Sequence, residues 1–471
     1  MTDQLPRPRV AIAGASGFVG SHLVPALKEQ FRVVGLARQP RDVADGVEWR
    51  ACDLFSASST RAALEGVDVA VYLVHSMMPS SRLFQGHFHD TDLLLADNFV
   101  RACTHHGVKQ IISLGGLVPD AGFVSQHLQS RHEVEELLQL SGIPVTALRA
   151  GMVVGAGGSS FEILRSLVSR LPWMVLPKWT QSRGQAVHVD DVIAVLKGCI
   201  LDPARMGKTF NLTNGESLTY ERMLRLTAES MGKTRRMMQV PIASTGFSKR
   251  WVQLFSRSTY ELVSPLIDSL QCDLPQPQPE PEIAGLIVHR SFKDMLRHTL
   301  EEAKAFVAPT PRALASRSRE LTVRSIQRLP PMPDHPTRFI SNEYMTWLPK
   351  FLRPFIRVNR VPGTTRLTFS LAFFPWPLLV LELIEAASSD DRDKFHIVGG
   401  ALSKTTTTGW FEFRQVAHRR HTLAAIHGFV PALPWLIYLM SQAPVHAWVM
   451  HAFGLHLARV NTRPQRALQP S

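Results

Sequence analysis

Gly14-Ala15-Ser16-Gly17-Phe18-Val19-Gly20 decides the fold. It follows an apolar run, Val10-Ala11-Ile12-Ala13, that reads as a short buried strand, and it precedes SHLVPALKEQ, which has helical spacing. Three glycines spaced GxxGxxG between a strand and a helix allow a tight turn, close approach of backbone to a pyrophosphate and close helix–strand packing. The helix start offers free N–H groups and positive potential to phosphate oxygens. This turn therefore reads as a dinucleotide site formed by Gly14, Ser16, Gly17, Phe18, Val19 and Gly20.

Outward from the turn, apolar runs alternate with helical stretches: FRVVGLAR, VDVAVYLVH, KQIISLGG and PVTALRAGMVVG. That alternation predicts an α/β fold, a Rossmann-type doubly wound parallel sheet covered on both faces. The end of the second strand discriminates between cofactors. An acid there would take a ribose 2′-hydroxyl, but Arg38 stands there, with Arg41 nearby, and an arginine can pair with a 2′-phosphate. The reading leans to NADP, with NAD open and a solvated surface role for Arg38 as the alternative. Asp53 and Leu54, after the third strand, either meet the adenine edge or cap a helix. His75 ends the fourth strand, where ligands of such sheets bind; a packed, hydrogen-bonded histidine is the competing reading.

The motifs together resemble an atypical, extended short-chain dehydrogenase/reductase of the NmrA-like branch, over roughly residues 8–308, in a bacterial subgroup with an additional C-terminal domain. GASGFVG is similar to that family's nucleotide turn, and Asp53-Leu54 to its adenine-contacting pair. VYLVHSM (71–77), with Val74 and His75, falls beside the nicotinamide ribose; LRAGMVVG (148–155) is similar to the segment that passes the nicotinamide. VHVDDV (187–192) resembles the motif that fixes the family's C-terminal subdomain. The resemblance implies a catalytic Ser at Ser113 and a Tyr-x-x-x-Lys pair at 127–131. Here that pair is His127 and Arg131. Arginine can hold ribose hydroxyls but cannot share a proton. His127 either acts as acid or base near neutral pH or is an ordinary helix residue. Ser113 either polarises a substrate carbonyl or caps its loop.

The resemblance implies an oxidoreductase acting on a small apolar carbonyl, enone or quinone. The departure at 127–131 leaves a second reading, a non-catalytic NADP(H)-binding redox sensor or an accessory factor of a respiratory or quinone pathway.

The 471 residues, 45% hydrophobic and 19% charged, exclude a disordered or collagen-like chain. The four cysteines (Cys52, Cys103, Cys199, Cys272) include no CxxC, so neither a disulfide framework nor a thiolate metal site is expected, and a reducing cytoplasm fits. The N-terminus runs directly into the first strand, leaving no room for a signal peptide. No metal is expected: His87, His89, Asp90 and Asp92 cluster in sequence, but their context fits a helix start.

The net charge of +13 is concentrated: residues 311–366 hold eleven Lys/Arg against three acids. Residues 309–337 read as a Pro/Arg-rich linker between a nucleotide domain at 1–308 and a smaller α+β domain at 338–471. In the latter, LTFSLAFF, FHIVGGAL, GWFEFRQV and TLAAIHGFV read as strands, followed by one long apolar helix kinked near Pro444. That order resembles a START-like helix-grip fold, facing an apolar ligand or a membrane; residues 433–458 are either a helix buried in that core or one lying on a membrane. Tyr344, Trp347, Phe351 and Phe355 interleaved with Lys350, Arg353, Arg357 and Arg360 suit an anionic membrane surface at the inner face of the membrane. No nucleic-acid motif accompanies them, so nucleic acid is not the expected partner. The sequence does not specify an oligomeric state.

Overall fold

The computed structural model describes residues 7–39, 46–76, 83–119, 124–241, 253, 260–278, 280–305, 322–374, 376–404 and 409–462. Arg41 and the first half of the expected linker lie outside them. The chain divides into two units, 1–78 with 95–313 and 79–94 with 314–471.

The first unit is built on seven parallel strands: β1 (Arg9–Ala13), β2 (Arg32–Ala37), β3 (Glu48–Ala51), β4 (Val69–Tyr72), β6 (Gln110–Gly116), β7 (Val145–Ala150) and β11 (Thr209–Leu212). Their order is β11-β7-β6-β4-β1-β2-β3, so chain direction across the sheet reverses between β1 and β4. A doubly wound sheet binds ligands at the carboxyl ends of its strands at that crossing. Val10, Ile12, Val33, Val69, Val71, Ile112 and Leu148 form the core with α1 (Phe18–Leu27) and α6 (Val189–Gly198). Their near-complete burial explains why the strands read as continuous apolar runs. Helices α2 (Ala57–Ala63), α4 (Gln126–Gln139) and α5 (Ser159–Arg170) follow β3, β6 and the short β8 (Met152–Val154). Two small sheets, β12-β10-β8 and β13-β9, complete the unit. They comprise β9 (Trp173–Leu176), β10 (Arg183–His188), β12 (Ser217–Thr219) and β13 (Arg236–Gln239), with α7 (Tyr220–Ser230), α8 (Tyr260–Ser269), α9 (Pro281–Ala284) and α10 (Phe292–Ala305). All four cysteines are free thiols.

The second unit is a mixed eight-stranded sheet in the order β15-β16-β17-β18-β19-β20-β14-β5. Its strands are β5 (Leu83–Gly86), β14 (Val323–Leu329), β15 (Ile356–Arg360), β16 (Arg366–Leu371), β17 (Pro377–Leu383), β18 (Arg392–Gly399), β19 (Trp410–Val416) and β20 (His421–Phe429). Three helices accompany them, α11 (Thr337–Phe351), α12 (Trp435–Met440) and α13 (Gln442–Asn461). All strand pairs of this sheet are antiparallel except β5–β14, where Leu83 to Gly86 run parallel to Val323 to Ile326; helix α3 (Phe88–His105) follows β5. One sheet face packs on α11 and α13 through aromatic rings: Tyr344 lies 5.4 Å from Phe413 and 5.0 Å from Phe453, centre to centre. Those rings and Phe395, Phe411 and Leu457 fill the space between sheet and helices as a core.

Three expectations change. The second half of the expected linker is structured, because Val323–Leu329 pairs with β20 and Thr337 opens α11. Residues 79–94, expected in the nucleotide domain, group with the second unit through β5 and through Asp90, whose carboxylate accepts from Arg328 Nε at 2.6 Å. The long C-terminal helix is two helices. The chain breaks at Ser441 (φ −125°, ψ −76°), and Pro444 sits in the first turn of α13, where its missing N–H costs no helical hydrogen bond. Among the described residues no helix is long and apolar enough to cross a membrane.

Candidate functional site

The glycine turn has the geometry its spacing implied. Gly14 adopts φ +89°, and an added Cβ would press on the Leu73 carbonyl. The Gly17 N–H donates to the Gly14 carbonyl at 2.9 Å. Gly17 is the N-cap of α1 and has no side chain to cap the first-turn N–H groups, which leaves them to a ligand. Phe18 packs against the glycines of the segment after β7: a Cβ at Gly155 or Gly158 would meet its ring at 2.9–3.0 Å. Thus the Gly155 and Gly158 positions of GMVVGAGG stay small because Phe18 fills the space beside them.

From Gly14 the site continues along β4. Leu73 donates to the Ala13 carbonyl at 3.0 Å, so Val74 and His75 leave the sheet beside the turn. On α4, Ser125 is the N-cap and accepts from the Leu128 N–H, which sets His127 in the first turn and Arg131 one turn on. Arg131 Nη1 donates to the Val74 carbonyl at 3.2 Å. The His75 and His127 rings stack at 5.2 Å. His75 is exposed on this edge, yet desolvation first, then the Arg131 charge, then His127 hold its pKa well below the ordinary imidazole range. It is therefore neutral at neutral pH. The structure brings Val74, His75, His127 and Arg131 together at one place.

Ser113 joins them from β6. A small cavity is lined by Tyr72, Ser113, Gly115, Arg131 and Glu135. Tyr72 and Ser113 are register partners on β4 and β6. Glu135 is buried and takes a two-pronged ion pair from Arg149, Nη2 to Oε1 at 2.6 Å and Nε to Oε2 at 3.0 Å. Sequence reasoning did not single out Tyr72, Glu135 or Arg149. Their meeting depends on strand register, and only Tyr72's place in the run that holds His75 could have signalled it.

Arg38, Asp53 and Leu54 lie at the far side of the sheet, at the ends of β2 and β3, where the Cys52 N–H donates to the Ala37 carbonyl at 2.7 Å. Arg38 is exposed. Asp53 turns back on its own loop, accepting from the Phe55 N–H at 3.2 Å, while Ser56 caps α2. The Leu54 carbonyl accepts from Asn98 Nδ2 at 2.7 Å. The histidines expected to start a helix stack on each other, His87 on His89 at 5.0 Å.

Among the described residues one group of metal-ligand type comes together, His188, His298 and Glu302. Its atoms already answer one another: Asp190 Oδ2 lies 3.1 Å from His188 Nδ1 and 3.3 Å from His298 Nε2, and Arg290 stands 3.7 Å from the same carboxylate. His188 Nε2 faces Thr299 Oγ1 at 3.3 Å. The set clasps the start of α6 to α10 within the first unit.

Comparison with known proteins agrees with this geometry. Residues 14–202 match the NAD(P)H-binding family model. The auxiliary protein GraX of Staphylococcus aureus is 28% identical over 185 residues, 37% of this chain; the chain spans 55% of that relative's length. A UDP-glucose 4-epimerase of Vibrio cholerae is 21% identical over 290 residues, 56% of this chain and 87% of the relative. Among solved structures, the Bordetella bronchiseptica enzyme WbmG in complex with NAD superposes with a TM-score of 0.50 at 16% identity, covering 65% of this chain and 97% of that one, which is a likeness of fold. Residues 14–202, which hold the glycine turn, Ser113, His127 and Arg131, are thus similar to an NAD(P)H-binding domain.

Proposed function

We propose that the protein is an NADP(H)-dependent reductase of a small apolar carbonyl, enone or quinone. The observation that carries this reading is the gathering of His75, His127 and Arg131 at the carboxyl end of β4, beside the Gly14 turn. The residues fit the cofactor. The α1 N-terminus and glycine turn take the pyrophosphate, the exposed Arg38 takes the 2′-phosphate, and Arg131 takes a ribose hydroxyl. When bound, the nicotinamide supplies hydride to the electrophilic carbon. The Ser113 hydroxyl donates a hydrogen bond to the substrate oxygen and holds its developing negative charge. His127 delivers the proton that completes the alcohol or hydroquinone, and neutral His75, stacked on it, adds no competing charge.

A fluorescence titration of NADPH and NADH into the full-length protein tests cofactor choice. NADPH binds more tightly, and Arg38→Ala weakens NADPH by about 10- to 100-fold, the worth of one charge-assisted hydrogen bond, while leaving NADH unchanged. Equal binding of both nucleotides would refute the Arg38 assignment. Turnover of NADPH with a panel of quinones and enones, and its loss in His127→Ala, tests the chemistry. A flat panel with intact NADPH binding supports the second reading, a non-catalytic NADP(H) sensor or accessory factor. That reading is favoured by the engagement of Arg131 with the Val74 carbonyl, a bond that needs no proton transfer.

A further inference from the structure

The second unit wears large apolar side chains on its outside. The connection between β16 and β17 presents Phe373 and Trp376, 74% and 70% exposed, with Phe374 between them. Helix α12, WLIYLM, buries Tyr438 but turns Leu436 and Met440 outward at 72% and 83% exposure. A surface helix ordinarily shows water its polar side; this one shows leucine, isoleucine and methionine.

These side chains belong to one end of the unit. The Ala372 N–H donates to the Phe355 carbonyl at 2.8 Å, joining Phe355 to the base of the Phe373–Trp376 connection. The Ala401 N–H donates to the Pro377 carbonyl at 2.9 Å and the Ala432 N–H to the Leu402 carbonyl at 3.1 Å, so the chain entering α12 runs beside the same connection. The Phe351 ring lies 4.9 Å from Trp448, tying the end of α11 to the first turns of α13. The unit's interior is already filled by its own rings, so this outer set does not line the core between sheet and helices.

Charge identifies the occupant. Between Tyr344 and Leu381 there are five Lys/Arg and no acid, and between His421 and Ala458 there is no charged residue of either sign except histidine. Lys350, Arg353 and Arg357 are exposed around Phe351 and Phe355, and none pairs with an acid among the described residues. A second copy of this chain would bring the same cations against them, which disfavours that pairing. An anionic lipid surface offers what both parts need, an apolar layer for the rings and phosphates for the cations. Tryptophan and phenylalanine with flanking arginine and lysine are suited to that boundary. We propose that this end of the second unit docks the protein peripherally on an anionic bilayer. Phe373, Trp376, Leu436 and Met440 enter the headgroup boundary, and Lys350, Arg353 and Arg357 meet lipid phosphates. This stands apart from the reductase reading and from whichever nucleotide is bound.

Sedimentation of the full-length protein with vesicles of phosphatidylcholine, with and without phosphatidylglycerol, tests it. The bound fraction rises with phosphatidylglycerol and falls with salt. Arg353→Gln with Arg357→Gln lowers the partition coefficient about 30-fold, and Phe373→Ser with Trp376→Ser lowers it at least about tenfold. Both pairs are exposed, so thermal unfolding stays at the wild-type temperature and serves as the folding control. Binding that ignores phosphatidylglycerol, or that survives both double substitutions, would overturn the proposal. So would a concentration-dependent dimer that the Phe373/Trp376 substitutions abolish, because the patch would then be covered by a second copy.

Discussion

Gly20 has no room for a methyl group. A Cβ there would run into the Gly14 carbonyl oxygen and the Ala15 backbone, neither of which can rotate away. Gly20→Ala therefore pushes α1 off the turn. The expected cost is about 1–3 kcal/mol of stability, as for other overpacked positions, together with loss of nucleotide binding. Thermal unfolding combined with the NADPH titration checks both; a stable variant with wild-type affinity would show that the turn can yield. At this scale the sequence was legible where backbone geometry itself demanded a residue type, as at Gly14, Gly17 and Gly20. It was silent where a role depends on partners far along the chain. Nothing local marks Glu135 as the acceptor of Arg149, or Arg131 as the donor to Val74. Arg131 also shows how a residue carried over by resemblance acquires a second, structural engagement that spacing cannot reveal.

Helix α13 contains the element with the clearest dependence on pH. His446 faces Ser325 Oγ at 3.2 Å from Nε2, and burial pulls its pKa down to about 4. The folded value lies below the unfolded value of 6.5, so its contribution is complete above pH 6.5 and is lost as pH falls toward 4. Between pH 7 and pH 5 this amounts to about 2 kcal/mol of lost stability. Urea unfolding at the two pH values should show a smaller loss in His446→Gln than in the wild type; an equal loss would place the titration elsewhere. Elements were legible in proportion to the regularity of their burial. Strand β18 alternates buried and half-buried residues without a break, and its sequence reads as a strand. Strand β14 hides behind Arg324 and Arg328 in a basic, proline-flanked stretch, and reads as linker although Val323, Ile326 and Leu329 are buried. Strand β17 lies between two such strands and has turn signals on both sides, Pro375 before it and Pro377 at its first position, and Ser388-Ser389-Asp390-Asp391 after it, but its leucines alternate between half-buried and buried too little to mark it as a strand.

The whole molecule is less modular than its sequence. The two expected domains follow one another along the chain, but the second unit takes a strand from residues 83–86, inside the stretch assigned to the first. Composition could not reveal this, since a four-residue strand carries too little pattern to stand out. A chain ended at residue 308 keeps Leu83–Gly86 but loses β14, and so exposes an unpaired strand edge. Size-exclusion chromatography should find that shorter chain in aggregates where the full chain elutes as a defined species; a well-behaved short chain would mean that the strand's pairing is dispensable. The same pairing gives the protein a timetable. On the ribosome, β5 emerges some 240 residues before β14. At roughly 5–20 residues per second, it waits about ten to fifty seconds for its partner. For that interval the nascent chain holds an unpaired strand, and a chaperone that shields residues 83–94 would act in that window.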